Sequence, residues 1–223
     1  MMVCLLVANL GRIDPDPRAS YVQQELPDGW TFDTFYFDET SMPLRRAAMA
    51  PRLQAKIPKM LGWDIVPQYD FYIWLDSSFR LSSPQCIRWF VEQCDGADIA
   101  LFAHPKRTSI RGELAYMLRK MREGDSYLIE RYAGEPLEAQ VQRYILDPDF
   151  EDATLYAAGA FVYARSLVSQ PENAMKEWFY QTVTGSVQDQ LSLPWVLSRF
   201  RARIRTLPVP LFDNPYIEYL HSH

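Results

Sequence analysis

A chain of 223 residues that is 48% hydrophobic, 14% aromatic and 23% charged has enough apolar material for a sizeable core, which excludes a disordered tail, a collagen-like fibre and a coiled coil. Its 23 basic against 28 acidic residues give a net charge of −5, so no global positive field draws it to nucleic acid or anionic lipid. Cys4, Cys86 and Cys94 are odd in number and lack CxxC spacing, which argues against a disulfide framework or zinc knuckle and fits a reducing, cytoplasmic setting.

Short apolar runs ending in polar or turn residues recur at 3–8, 32–37, 71–75, 99–103, 155–164 and 204–209, and are predicted to be buried strands. The first is shorter than the roughly 18 residues of a membrane span and has no basic leader before it. No other run approaches that length, so any membrane contact is expected to be peripheral. Helical spacing is found at 84–94, 113–122, 127–144, 167–182 and 188–200. Alternation of the two predicts an α/β fold, a mostly parallel sheet flanked by helices, in one domain over 1–223.

In such sheets the ligand lies beyond the carboxyl ends of the strands. The first strand runs into Asn9, Gly11 and Asp14, the third stops at Asp76-Ser77-Ser78, and the fourth at His104-Pro105-Lys106-Arg107. Asp76 thus stands where a carboxylate can hold a metal ion or a sugar hydroxyl; alternatively Asp-Ser-Ser turns the chain and caps the next helix. His104 suits phosphate contact or metal ligation, against a plain loop imidazole.

Between Arg45 and Lys59 lie Arg45, Arg46, Arg52, Lys56 and Lys59 with no acidic residue. On a helix Arg52 and Lys56 share a face and can grip a diphosphate; the alternative is a solvated face whose Lys56 complements a helix C-terminus. Ser186 and Asp189 have capping-box spacing, and Asp189 is also placed to act as a general base or to bind an acceptor hydroxyl. Gly159, inside a strand-like run, marks a close approach or a bulge. Arg199, Arg201, Arg203 and Arg205 alternate with apolar residues, which at strand spacing puts four guanidinium groups on one side.

Four stretches in order, R-L-Q-A-K-I-P from Arg52, Y-D-F-Y-I-W-L-D-S-S from Tyr69, A-L-F-A-H-P-K-R from Ala100 and D-Q-L-S-L-P-W-V-L from Asp189, resemble a family of glycosyltransferase-like domains. That family is best known from plant proteins of mucilage and turgor regulation, and bacteria carry short versions. The resemblance implies a GT-A nucleotide-sugar transferase fold, with a sugar nucleotide, a UDP-sugar foremost, as donor and commonly Mn²⁺ or Mg²⁺. It implies that Asn9, Gly11 and Asp14 lie near the nucleoside, that Arg52 and Lys56 face the diphosphate, and that Ser78, His104 and Gln190 complete the donor site. Asp76 would be the metal-side carboxylate and Asp189 the catalytic carboxylate near the acceptor. GT-A enzymes often carry Asp-x-Asp where this chain has Asp-Ser-Ser, so a metal here would draw further on His104, His221 or His223. The implied reaction moves a hexose to a hydroxyl of a glycan or glycolipid in polysaccharide biosynthesis. The rival readings are a non-catalytic nucleotide-sugar or glycan-binding module and a phosphohydrolase built on Asp76 and His104.

Overall fold

The computed structural model describes residues 1–11, 16–45 and 48–220. Its strands are β1 (Met2–Ala8), β2 (Thr31–Phe37), β3 (Phe71–Leu75), β4 (Phe79–Leu81), β5 (Ile99–Ala103), β6 (Tyr156–Ala164), β7 (Ile204–Thr206) and β8 (Ile217–Tyr219). Six of them form one sheet in the order β2-β1-β3-β6-β5-β7, and β4 pairs with β8 apart from it. Within the six-stranded sheet β1 is parallel to β2 and β3, and β5 to β7, while β6 runs antiparallel to both neighbours. The expected α/β fold with a mostly parallel sheet is therefore present.

Alternation along each strand sends side chains to opposite faces. Val3, Leu5, Val7, Ile73, Leu75, Ala100 and Phe102 face a core closed by α3 (Cys86–Cys94) and by β4 and β8. Cys4, Leu6, Tyr72, Trp74, Ile99 and Leu101 face the larger core. There α2 (Lys56–Ile65), α4 (Ile110–Arg122), α5 (Ser126–Tyr132), α6 (Leu137–Ile145), α7 (Ala174–Thr184) and α8 (Leu193–Arg199) contribute Met60, Met117, Tyr132, Tyr144, Trp178 and Val196. The short helix α1 (Pro51–Gln54) leads into α2 across Ala55. The three cysteines are buried free thiols. No helix among the described residues is long and apolar enough to cross a membrane.

Several local expectations are corrected. The stretch 127–144 is not one helix: α5 ends at Tyr132, and Gly134 (φ 86°) and Pro136 separate it from α6. Asp76-Ser77-Ser78 does turn the chain, with Phe79 N donating to Asp76 O at 2.9 Å, but it leads into β4, and α3 starts from Gln85 without a side-chain cap. Lys56 stands at the start of α2, not at a helix C-terminus. Pro58 costs α2 no hydrogen bond there, because first-turn N–H groups have no intrahelical partner.

The arginine series does not form one stripe. Arg199 closes α8, Arg201 sits at φ 50°, and only residues from Ile204 onward are strand. Arg203 pairs with Asp98 at 2.8 Å and Arg205 bonds the carbonyl of Asp95 at 3.0 Å. Gly159 lies where the pairing of β5 with β6 slips register between Leu101 and Phe102, so the bulge reading holds. A Cβ on it would also lie 3.1 Å from the Phe79 ring and 3.4 Å from Asp76 Oδ2, so it gives those two side chains room.

Candidate active site

At the carboxyl ends of β1, β3 and β5 the sheet opens into a cleft of about 710 Å³. Its floor is built by α2, whose tight seat on the sheet depends on Gly62: a Cβ there would come 2.3 Å from Leu6 Cδ1 of β1. That packing aims Lys56 and Lys59, three residues apart on one helical face, into the space beside Asp189. Asp189 begins a 3-10 turn, Asp189–Leu191, held by the indole of Trp178, which donates to the Asp189 carbonyl at 2.9 Å.

Asp189 Oδ2 lies 2.6 Å from Lys56 Nζ and 2.7 Å from Lys59 Nζ, with side chains only 6%, 15% and 4% exposed respectively. Burial alone would raise the Asp189 carboxyl, but the two ammonium groups outweigh it and hold its pKa down to about 2. Burial and the nearby Lys59 push Lys56 below the ordinary lysine value, whereas Lys59, although buried, is held above it by Asp189 and Asp76. A carboxylate bound this way is a weak proton acceptor, so the general-base role expected of Asp189 does not suit its setting. Nor does it cap a helix as expected: Ser186 Oγ bonds Glu135 and accepts from Gln188 N, and the turn at Asp189 has no side-chain cap.

Asp76 is the accessible carboxylate, 42% exposed. Its Oδ1 accepts the Trp74 indole N–H at 2.7 Å and lies 3.8 Å from Lys59 Nζ, so Asp76, Lys59, Asp189 and Lys56 alternate in sign along the floor. His104 lines the cleft, but its Nδ1 accepts the backbone N–H groups of Lys106 (3.2 Å) and Arg107 (3.0 Å). Its Nε2 faces Arg107 at 3.3 Å and Glu113 at 4.0 Å. Burial, with Arg107 and Lys106, pushes its pKa below the usual imidazole value. With Nδ1 accepting, the neutral ring carries its proton on Nε2, so neither nitrogen presents a free lone pair to a metal. Glu113, in turn, receives Arg107 and Gln188.

Arg52 comes from α1, lies over the Tyr132 ring at 5.0 Å, and bonds the carbonyl of Arg131; Glu135 stands 3.8 Å away. Its buried Nη1 has no hydrogen-bond partner among the described residues. The opposite wall is aromatic: Phe79, Phe212 and Tyr219 pack with ring centroids 5.2 to 5.9 Å apart.

The structure brings together Asn9, Arg52, Lys56, Asp76, Ser78, His104, Asp189 and Gln190, all lining this one cleft. Gly11 is not part of the lining and turns the chain at φ 88°, while Asp14, His221 and His223 lie outside the described residues. Sequence reasoning missed Lys59, Trp74, Glu113 and Gln188. For Lys59 a signal was present, since it follows Lys56 by three in a run without acidic residues.

The residues fit a divalent metal poorly. No group of three or more His, Cys, Asp or Glu side chains converges for one among the described residues. Asp76 offers one carboxylate, next to an ammonium, where Mg²⁺ or Mn²⁺ would want several oxygen donors.

The family description "TOD1/MUCI70, glycosyltransferase-like domain" matches residues 46–221. The chain belongs to the TOD1/MUCI70 glycosyltransferase-like domain family. The match spans all the residues of the cleft except those at the end of β1. No curated protein sequence matches the chain. Among solved structures, a glycosyltransferase involved in glycosylation of the major capsid of PBCV-1 superposes with a TM-score of 0.54 at 11% identity, over 100% of this chain and 96% of that one. Mouse xyloside xylosyltransferase 1 gives 0.50 at 11%, over 93% and 85%. The bifunctional glycosyltransferase WbbM gives 0.51 at 11%, over 92% of this chain but 38% of its own. At 11% identity these likenesses show a shared fold. That fold includes β1 and β2, which precede the family match.

Proposed function

We propose that this TOD1/MUCI70 domain is a cytoplasmic GT-A-type glycosyltransferase, a single domain over 1–223, that moves a hexose from a UDP-sugar to a hydroxyl of a glycan or glycolipid. The observation that carries this reading is a cleft at the strand ends with buried cations on its floor beside an exposed carboxylate. Breaking a glycosyl–phosphate bond develops negative charge on the departing diphosphate, and pre-positioned cations in a water-poor site meet it at little reorganisation cost. Lys56 and Arg52 take that role, with Asn9, Ser78 and Gln190 around the donor. Asp76, with Oδ1 fixed by Trp74, binds the acceptor hydroxyl and receives its proton. Asp189 holds the lysines and does not act as the base. The aromatic wall of Phe79, Phe212 and Tyr219 suits the apolar face of a sugar ring.

Release of nucleoside diphosphate from a panel of nucleotide sugars, with and without oligosaccharide acceptors, tests the reading. Sustained release with one donor, and its loss in Asp76→Asn with donor binding intact, is the expected outcome. Binding without release from any donor would instead leave a binding module, and unchanged turnover in Asp76→Asn would remove that residue from the chemistry.

A further inference from the structure

Every carboxylate that lines the cleft already has at least one partner within the chain. Asp76 accepts the Trp74 indole, Glu113 pairs with Arg107, Asp125 caps α5 by accepting Leu128 N at 3.0 Å, and Asp189 is shared by two lysines. A divalent ion seated at Asp76 would sit close to the Lys59 ammonium, and like charges a few ångströms apart in a partly desolvated site repel strongly.

The lysines themselves are costly. Two ammonium groups converge on the one buried carboxylate, Asp189, and their second counter-charge, Asp76, stands 3.8 Å from Lys59 and is 42% exposed, so the buried pair is only partly compensated, which is expensive. Both also sit at the start of α2, whose first turn contains no acidic residue and whose N-terminal dipole disfavours cations. Two independent penalties thus fall on the same pair. Each ammonium carries three N–H donors, and the Asp189 contact uses one. An arriving diphosphate, with its negative charge and abundant acceptors, offsets both costs.

We infer that Lys59, with Lys56 and anchored by Asp189, supplies the positive charge that a divalent ion brings to other sugar-nucleotide sites, so that this domain transfers sugar without a metal. The inference rests on the nucleotide-sugar reading above. In the step it serves, the anomeric carbon–oxygen bond breaks with its electron pair going to the β-phosphate oxygen, where the ammonium groups meet the new charge. The acceptor oxygen bonds the anomeric carbon, and its proton passes through Asp76 to solvent. Lys59 and Lys56 touch the leaving group, whereas Asp189 is a positioning residue.

The test is calorimetric titration of the intact chain with UDP, GDP, CDP and ADP, in EDTA and in Mn²⁺, followed by turnover of the matching nucleotide sugar in both. The expected result is one nucleotide bound in EDTA with an affinity within about twofold of that in Mn²⁺, and turnover that survives EDTA. Removing one pre-organised donor to a developing oxyanion typically costs 10²–10³ in kcat, so Lys59→Gln should lose about that much, Lys59→Arg should recover part of it, and Mn²⁺ should rescue neither. Binding or turnover that requires Mn²⁺ overturns the inference while leaving the transferase reading in place. No nucleotide bound under either condition takes down the nucleotide-sugar reading and the inference with it. Should Lys59→Gln fail to fold, as judged by its melting curve, the EDTA comparison on the unaltered chain decides alone.

Discussion

Asp189→Asn is the sharpest probe of the charge cluster, because it removes one negative charge and almost no volume. Cavity terms therefore drop out, and what remains is two ammonium groups, 15% and 4% exposed, with no carboxylate between them. Removing one partner of a buried ion pair generally costs about 3–5 kcal/mol, and in a chain of this size that corresponds to a fall of roughly 6–20 °C in melting temperature. The loss should also depend on pH in a defined sense. In the variant a buried lysine that cannot pair has a folded-state pKa below its unfolded value, so its penalty is full at low pH and fades as pH rises towards about 10.4, where the unfolded lysine also loses its proton. Urea unfolding of both proteins between pH 6 and 10 measures this directly. A variant within about 1 kcal/mol of the parent, with a difference flat across that range, would refute the claim that these three groups are buried and coupled.

Two further outcomes follow from groups away from the lysines. Gly185→Ala places a Cβ 2.3 Å from Gln140 Nε2, and Gln140 is fixed by Tyr144 Oη (2.8 Å), the Gln181 carbonyl (3.0 Å) and Ser186 N (2.7 Å). Displacing it leaves buried polar groups unpaired, for about 1–3 kcal/mol, which thermal melting would detect; a melting temperature unchanged within 1 °C would mean Gln140 yields freely. In acid, Asp98, held down to about 2 chiefly by hydrogen bonds from Arg203, and Asp189, also about 2, both have folded pKa values below the unfolded one. Their stabilisation is present above about pH 4 and is lost as pH falls from there through 2, so unfolding free energy should drop across that window. Arg203→Ser should shrink the drop by removing Asp98's share, and an identical acid profile in that variant would count against the assignment.

The parts of the fold that were legible are those written in local hydrophobic pattern. Residues 71–75 and 99–103 coincide with β3 and β5, since a buried strand is an apolar run bounded by polar residues. The strands β4 and β8 escaped notice because each is three residues long and exists only by pairing with the other, 136 or more positions away along the chain, as Leu81 with Ile217 shows. The break between α5 and α6 was written in Gly134 and Pro136 but masked by apolar spacing that continues across it. The predicted helix 188–200 likewise resolves into a 3-10 turn and α8, so the residue expected to cap it instead faces α2.

That substitution carries the main lesson of the site. Asp76, Arg52, Lys56, His104 and Asp189 could be picked out because strand ends and charge runs are one-dimensional signals, and they do meet in one cleft. Their roles were not legible, because a role depends on which charges meet and how dry the meeting place is. Asp189 lies 133 positions from Lys56, and although Lys59 stands three residues from Lys56, nothing local to Asp189 indicates that both lysines meet it. Once Lys59 is in place, Asp189 changes from a proton acceptor into a clamp, and His104, whose Nδ1 accepts two backbone N–H groups, ceases to be a ligand. What stays open towards the cleft is Asp76 beside two buried ammonium groups that share one buried carboxylate, an arrangement that an isolated folded chain pays for and that an anionic leaving group relieves.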